Sequence, residues 1–230
     1  MKYFIIFLLS IPTLFAQTPF QYTTANAHSH NDYEQQFPFK AAYQQQFGSI
    51  EADVYAVNDT LYVAHDRKDI DKSRTLVKLY LEPISALLKE NNGAIYKGSD
   101  QKLQFLIDLK TSAHETIPVL ERELRRFASI IAKDSPIEIV LSGSTPAPEH
   151  FSEYPDFILF DGRTEVNYTP EQLKKVGIIS QAFYKYSHWN GKGVLTDQDK
   201  AKVQKVISEV HSQGKKIYTL CTLQTNLSEQ

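Results

Sequence analysis

The sequence predicts an α/β protein: a TIM-type (β/α) barrel of about seven strands, incomplete at its C-terminus. Three observations carry this prediction. Short apolar runs alternate with amphipathic helical runs along most of the chain. The stretch "LQFLIDLK" is continuously apolar up to a charged end, as a parallel strand covered on both faces must be. Histidines and carboxylates stand at the ends of successive strand candidates, where parallel barrels gather their functional groups.

The elements follow in order. The first strand is expected near Ala25–His28. "SIEADVYAV" and "LYVAHD" flank Asn58-Asp59-Thr60 and read as two strands around a turn. "LYLEPISALLKENNG" is helical after Pro83 and stops at Gly93. A strand over Phe105–Leu109 precedes an amphipathic helix in which Ile117, Leu120, Leu124, Phe127 and Ile131 recur at helical spacing. Strands over Ile137–Leu141, Phe157–Phe160 and Ile178–Phe183 follow, with a short helix between Thr169 and Gly177. A last helix, capped by Thr196 and stopped by Gly214, leads to a strand over Lys216–Leu220. The polar tail "QTNLSEQ" leaves no room for an eighth βα pair, hence the expectation of an incomplete barrel.

Composition narrows the function classes. The segment "MKYFIIFLLSIPTLFAQ" has one positive charge and a short, interrupted apolar run. Residues 1–16 read as a secretory signal cleaved near Ala16, leaving one domain over residues 17–230 that is secreted or periplasmic. No segment approaches the roughly 20 apolar residues of a transmembrane helix. The net charge of −2, with both signs mixed along the chain, offers no electrostatic case for nucleic acid. The single cysteine, Cys221, cannot form an intrachain disulfide.

The chemistry concentrates in the first half. Strand one ends at His28-Ser29-His30, and Asn31-Asp32 follows. Glu51 and Asp53 lie two apart on strand two and so share a face. Asp108 sits in an otherwise fully apolar run, with Lys110 two residues on. Such carboxylates are costly inside a barrel unless paired or bound to a cation. Three carboxylates without cysteine ligands suit a hard cation, Mg²⁺ or Ca²⁺. The alternative is that Glu51 and Asp53 point outward or pair with lysines. Two histidines bracketing these carboxylates, with His65 followed by Asp66, suit general acid and general base roles. Trp189 in "YKYSHWNGKG" lies in an aromatic loop that either lines the pocket or simply packs.

At these residues the chain resembles the phospholipase C-like phosphodiesterase superfamily, which includes glycerophosphodiester phosphodiesterases and phosphatidylinositol-specific phospholipases C. The likeness rests on "AHSHNDY", "GSIEADVYAVNDTLYVAHD" and "LIDLKT", and is nearest to the branch of altered inheritance of mitochondria protein 6. The resemblance implies metal-assisted cleavage of a phosphodiester small molecule or lipid headgroup. It carries the catalytic histidines onto His30 and His65, with His28 as a rival to His30. It carries the ligands of one divalent cation onto Glu51, Asp53 and Asp108, and substrate contact onto Lys110 and Asn31. The glycerophosphodiesterase pattern of Arg-Gly after the first histidine is replaced here by Asn31-Asp32.

Two other readings stand beside this one. His28 and His30 could form a zinc pair, as in amidohydrolase- or histidinol-phosphatase-like barrels, which would need later histidines such as His150 or His188. Alternatively, an incomplete barrel could bind a phosphate-bearing ligand without turning it over.

Overall fold

The computed structural model describes residues 22–220. The expected signal segment and Cys221 with the tail after it lie outside the described residues. The strands are β1 (His28–Ser29), β2 (Ser49–Val57), β3 (Thr60–Val63), β4 (Leu103–Leu109), β5 (Ile137–Gly143), β6 (Ile158–Arg163), β7 (Val176–Ala182) and β8 (Ile217–Leu220). The α-helices are α1 (Lys40–Gln44), α2 (Glu82–Glu90), α3 (Ala113–Arg126), α4 (Pro170–Lys174) and α5 (Asp197–Ser212).

Seven strands pair in parallel in the order β1-β2-β4-β5-β6-β7-β8, and β3 folds back antiparallel on β2. Asn58 and Asp59 turn that hairpin with φ of 48° and 58°. Asn and Asp reach this left-handed region at low cost, and two such residues match the twist of the flanking strands. The sheet rolls up as an incomplete barrel. Its first and last strands meet inside, where the His28 and Tyr218 rings lie 4.3 Å apart between centroids.

Alternation along each strand sorts the two faces. Ile50, Ala52 and Val54, Phe105, Ile107 and Leu109, and Ile139 and Leu141 are buried outside the sheet, against Ile84 and Leu88 of α2 and Ile117, Leu120 and Leu124 of α3. Full burial of a side chain such as Phe105 contributes about 2–3 kcal/mol. A smaller cluster of Leu106, Val140 and Ile178, with Leu159 and Tyr218 against it, fills part of the interior. The remaining interior positions are polar, and register places Asp53 beside Asp108 and Asp108 beside Ser142.

Helix α3 is shorter than its apolar spacing suggests. It ends at Arg126, because Phe127 leaves helical geometry at ψ 62°. A turn then delivers Ile130 to the core and leaves Ile131 half-buried. Apolar periodicity therefore continues past the helix through side chains that a turn, not a helix, buries. Helix α2 is preceded by one wide turn over Val77–Leu81, so helical structure begins before Pro83.

Candidate active site

A cavity of about 310 Å³ opens inside the rolled sheet. His28, His30, Glu51, Asp108 and Ser142 line one part of it, and Asp161, Arg163, Ser180 and Tyr218 another. The parallel register brings these side chains together from positions far apart in the chain.

His28 sits at the end of β1 with both ring nitrogens engaged. Nε2 lies 2.7 Å from Glu51 Oε2 and Nδ1 lies 2.7 Å from Ser49 Oγ. A carboxylate only accepts, so Nε2 carries the proton and Nδ1 accepts from Ser49 in the neutral ring. His30, one residue beyond the strand, is exposed at the cavity. Its ring centroid lies 6.4 Å from that of His28, and its nitrogens make no hydrogen bond among the described residues. The two histidines therefore differ in their contacts. His28 is locked to Glu51, and His30 is free to meet a ligand.

Asp53 lies at the centre of a second network. Its side chain is 1% exposed, and Oδ2 accepts from the Tyr33 hydroxyl at 2.8 Å and from Lys110 Nζ at 2.9 Å. The same ammonium reaches Asp108 Oδ2 at 2.8 Å, and Asp108 Oδ1 accepts from Ser142 at 2.6 Å. Burial alone would push Lys110 down, but the hydrogen bonds and charges of Asp108 and Asp53 carry it above the ordinary lysine value. Burial pushes the Asp53 carboxyl up, opposed by Lys110 and Tyr33. Burial, with Asp53 beside it, raises the Tyr33 hydroxyl, so it stays protonated and donates.

His65 follows β3 and faces a neighbouring groove with Tyr33 and Arg74. Its Nδ1 lies 3.2 Å from the Tyr33 hydroxyl and 3.5 Å from Asp53 Oδ2. These contacts favour a proton on Nδ1 and leave Nε2 as the open base. Asp32 is fully buried and holds this corner: it accepts from Ser29, from the Phe39 N–H and from the Tyr80 hydroxyl. Asn31 adopts a left-handed conformation at φ 48° and turns the chain there.

Not every expected residue comes to this place. Asp66 is exposed, 3.5 Å from Lys68, and makes no contact with His65 in the ion pairs and hydrogen bonds described. Trp189 lines a separate groove with Tyr184 and His188, and its indole N–H is taken by Lys192 O. His150 pairs with Glu153 on the surface. Neither later histidine therefore joins His28 and His30. The sequence reading missed Tyr33, Ser142, Asp161, Arg163 and Tyr218. The signal for Tyr33 was available, since it lies inside the "HSHNDY" motif.

The fit of a divalent cation can be read from these side chains. Glu51, Asp53 and Asp108 supply oxygen donors of the right chemistry, and the buried Asp53 Oδ1 has no partner among the described residues. As they stand, Lys110 bridges two of the carboxylates and His28 holds the third. No group of three or more His, Cys, Asp or Glu among the described residues is gathered as a finished metal cluster.

The family match spans the segments that carry these side chains from Ala27 to Thr111. The sequence model of the AIM6-like phosphodiesterase domain matches residues 20–147. The altered inheritance of mitochondria protein 6 homolog of Arthroderma benhamiae is 32% identical over 163 residues, covering 59% of this chain and 52% of the relative. Altered inheritance of mitochondria protein 6 of Eremothecium gossypii is 30% identical over 146 residues, covering 53% of this chain and 38% of the relative. The chain thus spans about half or less of the length of these curated relatives. A glycerophosphodiester phosphodiesterase from Parabacteroides distasonis aligns over 84% of this chain and 91% of its own, with a TM-score of 0.44 and 14% identity. With the family match extending over more than half of its length, the chain belongs to the AIM6-like phosphodiesterase domain family.

Proposed function

We propose that this protein is a phosphoric diester hydrolase acting on a lipid-like or glycerol-linked phosphodiester. The observation that supports the reading is that His30 shares a cavity with Asp108 and His65 lies against Asp53, two members of one Asp53–Lys110–Asp108 network, each histidine following a strand that pairs with β2. His65 is the general base, with Tyr33 and Asp53 orienting Nδ1 so that Nε2 takes the proton of the attacking hydroxyl or water. His30 is the general acid that returns a proton to the leaving alcohol. Protonated Lys110 offsets the negative charge that builds on the phosphoryl oxygens. His28 keeps Glu51 in place.

Glu51, Asp53 and Asp108 are the residues that would hold Mg²⁺ or Ca²⁺, which would polarise the phosphoryl group as a Lewis acid. The sequence reading of residues 1–16 extends the proposal to an exported enzyme. Release of p-nitrophenol from bis(p-nitrophenyl) phosphate, with added Mg²⁺ or Ca²⁺, is the test. Turnover that EDTA abolishes and Mg²⁺ or Ca²⁺ restores supports both parts. Ligand binding without turnover removes the enzymatic reading. Turnover insensitive to EDTA removes the cation.

A further inference from the structure

The β6–β7 side of the cavity carries a cluster that acid/base chemistry does not use. Asp161 and Arg163 stand two apart on β6 and share its inner face, and Ser180 faces them from β7. The Asp161 side chain is 4% exposed. Its Oδ2 accepts from Ser180 Oγ at 2.6 Å and from Arg163 Nη1. The same Nη1 donates to Ser180 Oγ at 2.7 Å and to Gly162 O at 3.0 Å.

Every hydrogen bond of the guanidinium thus leaves from one nitrogen. Nη2 and Nε make none among the described residues, and the side chain is 47% exposed. That free edge is a planar pair of N–H donors matched to two oxygens of a carboxylate or phosphate. A buried carboxylate paired with a half-exposed arginine adds little stability for its desolvation cost. As an anchor that aims a guanidinium, it has a clear use. Arg163 is also the one permanent cation among the described residues lining the cavity, whose other fixed charges are the carboxylates of Glu51, Asp108 and Asp161.

We propose that the Nη2–Nε edge of Arg163, held by Asp161 and Ser180, is an oxyanion-binding subsite. It takes a phosphate or carboxylate group. Its place beside a scissile diester rests on the phosphodiesterase reading. The oxyanion comes either from an anionic substituent on the alcohol portion of the substrate or from free inorganic phosphate.

The test uses the full chain labelled with nitrogen-15 arginine. The Arg163 Nε–H signal is assigned by its loss in Arg163→Gln or, if that variant does not fold, Arg163→Lys. Inorganic phosphate is expected to shift this signal saturably. Calorimetry then compares glycerophosphoserine with glycerophosphoethanolamine, which differ by one carboxylate. A preference of at least about tenfold for the serine ester, lost in the variant, identifies the substrate substituent as the source. A phosphate shift without that preference upholds the subsite and assigns it to free phosphate. Neither a shift nor a preference overturns the subsite, whatever the turnover. A clear phosphate shift in a protein that cleaves no diester removes the enzymatic reading and leaves the subsite standing.

Discussion

Replacing Tyr33 by Phe removes one hydroxyl and keeps a ring that is 3% exposed. Apolar burial is therefore unchanged, and the effect isolates the hydroxyl with its two hydrogen bonds. The hydroxyl donates to Asp53 Oδ2 at 2.8 Å and lies 3.2 Å from His65 Nδ1. A hydrogen bond to a charged acceptor contributes about 1.5–3 kcal/mol. The lower figure applies, because Asp53 Oδ2 keeps Lys110 at 2.9 Å. Urea unfolding should show a loss of about 1.5 kcal/mol. The catalytic effect is separate. Without Tyr33, His65 keeps only Asp53 at 3.5 Å, longer than a good N–H···O bond, and its side chain is 55% exposed. Loss of its orientation should lower kcat on bis(p-nitrophenyl) phosphate by about thirtyfold, equivalent to roughly 2 kcal/mol, and leave KM within about threefold. A Tyr33→Phe enzyme with the stability loss but a kcat within about twofold of wild type would refute the orienting role.

The other predictions test the same site from different sides. Lys110→Met should destabilise the fold by about 3 kcal/mol near pH 8, because it leaves Asp53 and Asp108 facing each other without a cation. In wild type the raised Lys110 stays charged, so its contribution is complete below the unfolded lysine value and is lost only as pH climbs through the higher folded one. In the variant, Asp53, pushed up by burial, takes up a proton on acidification above the ordinary carboxylate range, so the gap in denaturant midpoint should narrow as pH falls. A gap that widens toward acid contradicts the pairing. Gly143→Ala should cost more than the roughly 1–2 kcal/mol of a left-handed residue. Gly143 has φ +73°, and its new Cβ would fall 2.6 Å from Leu109 O and 2.9 Å from Asp108 Oδ2. A thermal midpoint equal to wild type would show that this corner gives way freely. Asp53→Asn should weaken Mg²⁺ binding, read by calorimetry, by at least about tenfold, and unchanged affinity would move the ion elsewhere.

Much of this architecture was legible because strand and helix periods differ. "LQFLIDLK" had the look of a strand covered on both faces, and the Asn58-Asp59 turn announced the hairpin. Alternation put Glu51 and Asp53 on one face, but which face, and that Asp53 pairs with Lys110, was left open by the sequence. Contacts across the sheet were not readable. Tyr33 meets Asp53 from 20 residues away, through a loop held by the buried Asp32. Nothing local announces that contact. The motif favoured His30 over its rival His28, but the contacts that hold His28, to Ser49 and Glu51, were not legible in it. Asp161 and Arg163 passed as an ordinary strand end, since their importance depends on a rolled sheet that returns β7 and β8 toward β1. The helix predicted to run to Ile131 failed for a related reason, because a turn can bury the same apolar residues.

The central claim is that His30 and His65 carry the proton transfers of phosphodiester cleavage around the Asp53–Lys110–Asp108 network. It is tested most directly by kcat/KM of His30→Ala and His65→Ala on bis(p-nitrophenyl) phosphate, with circular dichroism to show that each variant is folded. A fall of at least about a hundredfold is expected in each. Folded variants that both turn over at the wild-type rate would contradict it.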